Sequence, residues 1–438
     1  MEPWLILTLL LGCLILLMLS GLPIAFTFLL VASIVMYLIM GGESGLKQLV
    51  LSIFDSLTKF NLTPIPFFAV MGEVLFHSGL ARRTLDVLAK WVGSIPGRLS
   101  VITTLSGGLF ASLSGSAVAN TAMLGSLMVP EMRGRGYSKE MTLGPIMSSG
   151  ALAMIIPPSA LAVLLGTMAE ISIGKLLIGA ILPGILLLSL YLAYIIIRCI
   201  INPSMAPNYK VDYVSVSDRL ISTIRDIVPM GFLILAVLGV MFLGVATPTE
   251  AAALGALGSF LLALFYRCLD LNVIIKSISG ALSVTVMIFA IIAGSSAFSQ
   301  IIAFTGATSA VVQAVLGLSV SPMIILVSMM IIVIVLGCFM EQVSIMMITI
   351  PIFLPVIQAF DFDLVWFGIL MLISLEIGQL TPPFGLVLFV MKGVAPTDIN
   401  MKDIYISSAP YCLLDLAGLT ILMMFPAIAT WLPGLIRG

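Results

Sequence analysis

The sequence predicts an all-α polytopic membrane protein of about ten to eleven transmembrane helices plus two re-entrant hairpins, set in two inverted-topology repeats. Three observations carry this. The 438 residues are 61% hydrophobic and 9% charged, whereas a soluble domain carries about 25% charged residues. The apolar runs are about twenty residues long without two-residue alternation, the length a helix needs to span hydrocarbon. Prolines recur at a spacing of 225: Pro23 with Pro248, Pro130 with Pro355, and Pro157-Pro158 with Pro382-Pro383.

Apolar runs and their breaks place spans near 4–20, 22–40, 49–78, 140–170 and 176–199, then 227–246, 250–266, 278–304, 364–391 and 404–430. The run from Trp4 to Leu19 has no Lys or Arg ahead of it, so it reads as a retained first span and not a secretory signal. Residues 100–129 and 322–356 are apolar but interrupted, at Ser112 to Ser116 and at Gly337 to Gln342. Unwound backbone at membrane depth is tolerated only inside protein or beside water, which suits hairpins that enter and leave on one side. Leu80 to Ile95 reads as an interfacial helix with Leu88, Trp91, Val92 and Ile95 on its apolar face. The division is then 1–200, a cytoplasmic linker at 201–226, and 227–438.

Five crossings per half invert the second half relative to the first. Loops on alternate sides then put most of the 19 Lys and Arg on one face, with Lys47, Lys175 and Arg437 on the other and Lys59 ambiguous. That asymmetry makes the basic face cytoplasmic and both termini periplasmic.

Composition also excludes. Cys13, Cys199, Cys268, Cys338 and Cys412 are scattered singly and His77 is the one histidine, so neither a transition-metal site nor a Ser-His-Asp enzyme has material. Gly41 to Lys47 lacks the phosphate-loop spacing, and nothing points to nucleic acid. The expectation is a protein that is not an enzyme, holds no cofactor, and has the lipid bilayer as its solvent.

Helix breaks recurring inside a membrane repeat point to a secondary transporter whose ion and substrate sites lie at the breaks. Ser112 to Thr121 is a dense polar run at the first tip. Its hydroxyls and carbonyls suit desolvated Na⁺, although small residues also serve close helix packing. Pro157 and Pro158 lack amide hydrogens and should leave carbonyls free. Recurrence at Cys338 to Gln342 and at Gly378 to Gly385 favours ligation over a plain kink. The first expected Na⁺ site therefore takes Ser114, Gly115, Ser116, Gly150, Ile156 and Pro157. The second takes Gly337, Cys338, Glu341, Gly378, Thr381, Pro382 and Pro383. A substrate carboxylate is expected between the tips, near Ser116, Asn120, Ser159 and Thr381. Intramembrane carboxylates are counted as Glu73, Glu341 and Glu376, with Glu341 ranked first because it stands opposite Ser116. Glu73 and Glu376 stay open between packing and function, and His77 reads as interfacial. Thr247 to Glu250 reads as a capping box.

Ala111-Ser112-Leu113-Ser114-Gly115-Ser116, Ile156-Pro157-Pro158-Ser159, Ala246-Thr247-Pro248-Thr249-Glu250-Ala251, Pro351 to Pro355 and Thr381-Pro382-Pro383-Phe384-Gly385 resemble the large membrane subunit, DctM type, of tripartite ATP-independent periplasmic (TRAP) transporters. The resemblance spans essentially the whole chain. It implies an elevator-type, Na⁺-coupled importer of organic-acid anions such as C4-dicarboxylates or sialic acid, in the bacterial inner membrane. Its implied partners are a small four-span membrane subunit on a separate polypeptide and a periplasmic substrate-binding protein. The rival reading is a single-component anion/Na⁺ symporter or antiporter on the same plan.

Overall fold

The structure, a computed structural model, describes residues 3–39, 41–207, 209 and 214–436, and among these every regular element is a helix. The first half runs α1 (Pro3–Leu19), α2 (Ile24–Ile39), α3 (Glu43–Leu57), α4 (Pro64–His77), α5 (Leu80–Trp91), α6 (Arg98–Ser114), α7 (Ala117–Gly134), α8 (Lys139–Ala151), α9 (Ala160–Met168), α10 (Ile173–Gly179) and α11 (Ile181–Ile201). After α12 (Val216–Asp226) come α13 (Val228–Phe242), α14 (Pro248–Phe265), α15 (Leu271–Phe304), α16 (Ala307–Leu316) and α17 (Pro322–Gly337). The chain ends with α18 (Gln342–Ala359), α19 (Leu364–Leu380), α20 (Leu386–Val394), α21 (Met401–Met424) and α22 (Ala427–Gly434).

Helix starts repeat at the spacing of the prolines: α7 and α18 begin and end 225 residues apart, and α8 and α19 begin 225 apart. The capping residues explain why. Ser138 accepts from the Met141 amide at 3.2 Å, and Asp363 at the matching place accepts from the Trp366 amide at 2.8 Å. Different side chains thus close off the same orphan donors of a helix start.

By length and composition, five helical stretches among the described residues can cross a membrane: Ile173–Ile201, Pro248–Phe265, Leu271–Phe304, Gln342–Ala359 and Met401–Met424. A sixth arises if α12 and α13, bent by 46°, form one span. Other expected spans fall on shorter pieces. The expected span 49–78 is two helices, because α3 stops at Leu57 and Pro64 opens α4 with no amide hydrogen to give. The span 404–430 likewise breaks after Met424, ahead of Pro426. Residues 140–170 and 364–391 are interrupted helices, α8 with α9 and α19 with α20.

The linker expected at 201–226 contains α12, which the sequence reading missed. Ser215 caps it through the Asp218 amide at 3.0 Å, and Leu220, Ile221 and Ile224 stay exposed along one side. An apolar stripe facing outward beside charged residues suits a helix in the interface. α12 packs on α5, where Lys90 donates to Ser222 at 2.7 Å and the Trp91 indole donates to Thr223 at 2.6 Å. Leu80, Thr84, Leu85 and Val87 are buried, and of the face read from sequence Val92 is buried, Leu88 and Ile95 pack partly against the core and Trp91 is 44% exposed. Residues 208, 210–213 and 437, with Lys210 and Arg437 of the charge reading, lie outside the described residues.

Two packing groups emerge. α4 packs on α14 and α15, and α2 on α15. Elsewhere α8 packs against α6, α7 and α21, and α19 against α17 and α21. The innermost helices are the interrupted ones: every residue of α8 from Met141 to Ala151 and of α19 from Trp366 to Leu380 is buried. A helix buried all round lies inside the bundle; the first break shares that burial, whereas Pro382 to Phe384 of the second are exposed.

Candidate functional site

The first tip consists of Gly115 and Ser116. Gly115 adopts φ +59°, a left-handed conformation that glycine takes without penalty, and its amide donates to Ala111 O at 3.1 Å to end α6. Ser116 caps α7 by accepting from the Ala119 amide at 3.3 Å. A Cβ on Gly115 would stand 3.8 Å from Pro158 O and from Ala160 N, so the tip rests on the break between α8 and α9. Pro157-Pro158 is cis there.

Behind the tip the expected residues divide. Gly150 meets α7 so closely that a Cβ would fall 2.0 Å from Thr121 Oγ1. The fully buried Asn120 donates through Nδ2 to Gly107 O at 3.0 Å and Ser149 O at 3.3 Å, tying α6, α7 and α8, while its Oδ1 and Thr121 Oγ1 have no partner among the described residues. Ser159 caps α9 through the Ala162 amide at 3.3 Å and donates to Met154 O at 2.7 Å. The Ile156 side chain turns to Gly108 and Gly184, away from the tip. The Ser114 side chain lies outside the described residues.

At the second tip, Gly337 and Gly378 touch backbone to backbone, and a Cβ on either would stand 2.6 Å from the other's Cα. The Phe384 amide donates to Cys338 O at 3.1 Å, fastening the tip to the chain after cis Pro382-Pro383. Glu341 caps α18: its Oε2 accepts from the Val343 amide at 3.1 Å and from Ser344 Oγ at 3.4 Å. The carboxylate does for α18 what the Ser116 hydroxyl does for α7. Thr381 donates to Ile377 O at 2.6 Å. Two carbonyls at this break are shared: Leu380 O accepts from Cys412 Sγ at 3.2 Å and Pro383 O from the Tyr405 hydroxyl at 2.8 Å. A carbonyl has two lone pairs, so each keeps one for another donor or an ion.

Sequence reasoning missed three features. Gln379, 1% exposed, has no partner among the described residues for either amide atom. Asp415, inside the expected span 404–430, was left out of the intramembrane carboxylates although it is fully buried. A cavity of about 440 Å³ opens between α3, the end of α9, α15 and α18, with Asp55, Lys59, Glu170 and Gln300 among its lining residues. Lys59 and Glu170 face each other across it at 3.7 Å. The signal for it was the polar run Ser295, Ser296, Ser299 and Gln300 inside an apolar helix. Glu73 pairs with His77 at 3.2 Å one turn away and packs on Gly280. The capping box of α14 is present, with the Thr247 amide on Glu250 Oε2 at 2.8 Å and the Glu250 amide on Thr247 Oγ1 at 3.3 Å.

Residues 11–428 match the family model described as Tripartite ATP-independent periplasmic transporter, DctM component. The chain is 33% identical to the C4-dicarboxylate TRAP transporter large permease protein DctM of Pseudomonas aeruginosa, over 90% of each chain. It is 30% identical to the protein of the same description in Rhodobacter capsulatus, over 97% of this chain and 98% of that one. Its fold is similar to that of the Alcanivorax borkumensis YdaH transporter, with a TM-score of 0.64 at 12% identity, over 97% of this chain and 98% of that one. The named relatives are transporter permease subunits and not enzymes.

Proposed function

Because the chain belongs to the DctM component family of tripartite ATP-independent periplasmic transporters, we propose that it drives Na⁺-coupled uptake of organic-acid anions, C4-dicarboxylates or related carboxylates, across the bacterial inner membrane. It would act as the large permease subunit, with a small four-span membrane subunit and a periplasmic binding protein that delivers substrate. The observation that carries this reading is the seating of each tip on an interrupted helix whose first arm is buried: Gly115 against Pro158 and Ala160, and Gly337 against Gly378. Na⁺ would take oxygens at those two junctions, and the positive helix starts at Ser116 and Ser159 would face the substrate carboxylate.

Residues 1–200 and 227–438 would be inverted repeats, joined through 201–226, with both termini periplasmic. The packing of α6 to α9 and of α17 to α21 around α8 and α19 supports motion of that group as one body against α2–α4 and α13–α15, an elevator. The cavity lined by Lys59 would then be the periplasmic vestibule, with the Lys59 ammonium offsetting the Glu170 and Asp55 carboxylates that would otherwise repel an arriving anion. Lys59→Ala is expected to raise KM about three- to tenfold with little change in kcat, since the uncompensated carboxylates repel substrate and transition state alike. Initial rates against substrate concentration check this.

Proteoliposomes holding both membrane subunits test the tripartite reading. Radiolabelled succinate should accumulate when the loaded binding protein is supplied outside and fail to accumulate without it. Equal accumulation in its absence would favour a single-component symporter.

A further inference from the structure

Glu376 on α19 and Asp415 on α21 are both fully buried, and none of the ion pairs among the described residues involves either. They meet at Tyr191 of α11, whose hydroxyl donates to Asp415 Oδ1 and stands 3.5 Å from Glu376 Oε1. One hydroxyl carries one proton, so it can satisfy one carboxylate oxygen as a donor. Glu376 Oε2 and Asp415 Oδ2 have no partner among the described residues. Two carboxylates sealed from water without a counter-charge are costly enough that such a seam implies something positive in it.

Gln379 provides an independent indication. It lies one turn from Glu376 on the same side of α19, is 1% exposed, and has both amide atoms unpartnered among the described residues. Cys412, one turn from Asp415 on α21, donates to Leu380 O at 3.2 Å, so this stretch of α21 faces the stretch of α19 that carries Glu376 and Gln379. A proton would bridge two oxygens and leave the Gln379 amide oxygen without a partner. A cation can take several oxygens at once, and carboxylate, phenol and amide oxygens are the hard donors an alkali ion prefers.

We propose that Glu376, Asp415, Tyr191 and Gln379 form a binding site for one alkali cation, Na⁺, apart from the junctions at the two tips. It lies where α19 meets α21, whereas the second tip meets α19 through Gly337 and Gly378. Cys412 Sγ also touches Thr381 Oγ1 at 3.8 Å, so an ion holding α19 to α21 sets the spacing behind the break on which the second tip rests. The site needs no ion at either tip.

The test uses the purified full chain in nanodiscs. Bound ²²Na⁺ is counted by equilibrium dialysis, and melting is followed against Na⁺ with choline holding ionic strength constant. The double variant Glu376→Gln with Asp415→Asn, which keeps both shapes, is expected to bind one Na⁺ fewer per chain than the unaltered protein. Tyr191→Phe keeps the ring that meets Tyr411 edge-on at 5.3 Å and guards against a double variant that fails to fold. It is expected to move the Na⁺ midpoint of stabilisation up about tenfold. An unchanged Na⁺ count in the double variant, with an unchanged midpoint in Tyr191→Phe, overturns this site and leaves the tips untouched. No Na⁺ bound by the unaltered protein overturns both. Melting that is indifferent to Na⁺ but shifts with pH overturns the cation in favour of a shared proton.

Discussion

Gly378→Ala is expected to reduce uptake by at least about tenfold and to lower stability by about 1–3 kcal/mol, the usual cost of overpacking a tight interior contact. The added methyl would stand 2.6 Å from Gly337 Cα and 3.2 Å from Ile334 O. Both are backbone atoms of the hairpin arm, so no rotamer change makes room and α17 must move away from α19. The movement opens the junction where the second Na⁺ is proposed to sit. Gly393→Ala is the control, because a Cβ there meets nothing within 4 Å and replaces glycine in α20. It should be neutral or stabilise by up to about 1 kcal/mol. Equal uptake by the two variants, assayed at matched expression, would show that the contact is packing alone.

The second large effect is expected at Glu341, where two roles can be separated. Glu341→Ala removes the acceptor for the Val343 amide and should cost about 1 kcal/mol as a lost helix cap. Glu341→Ser places at this tip the residue type that caps α7 at Ser116, and should restore that stability. It restores no charge. If the carboxylate also serves the second Na⁺ site, the Na⁺ concentration for half-maximal uptake should rise about tenfold in both variants, the worth of one charge-assisted contact. A serine variant with an unaltered Na⁺ response would leave Glu341 as a cap only.

These two positions show how far the sequence could be read. Breaks and tips were legible because they depend on local chemistry: Pro157-Pro158 and Pro382-Pro383 cannot continue a hydrogen-bonded ladder, and Ser116 and Ser159 are natural helix caps. The interruption between α3 and α4 was hidden because Leu57, Phe60 and Leu62 keep the stretch partly apolar, although Asp55, Ser56, Thr58, Lys59 and Pro64 marked it. α12 was hidden by its prolines upstream and its mixed charge, although Ser215 and Asp218 carried a capping signal. The Tyr191 to Asp415 hydrogen bond joins residues 224 apart in sequence. Nothing near either residue announces the other, and an Asp within an apolar run looks like a tolerated single charge. Asn120 has a role that its polar run did not show. Its amide nitrogen holds three helices together, a pairing visible only once α6 and α8 are packed, and the expected substrate contact falls to Oδ1.

Uptake is proposed to be driven by Na⁺. The direct measurement is substrate accumulation in proteoliposomes containing both membrane subunits, with the loaded binding protein outside and an inward Na⁺ gradient imposed. Substrate should accumulate above the external concentration, and this accumulation should collapse when external Na⁺ is replaced by choline and return when the gradient is restored. Undiminished accumulation in choline would contradict it.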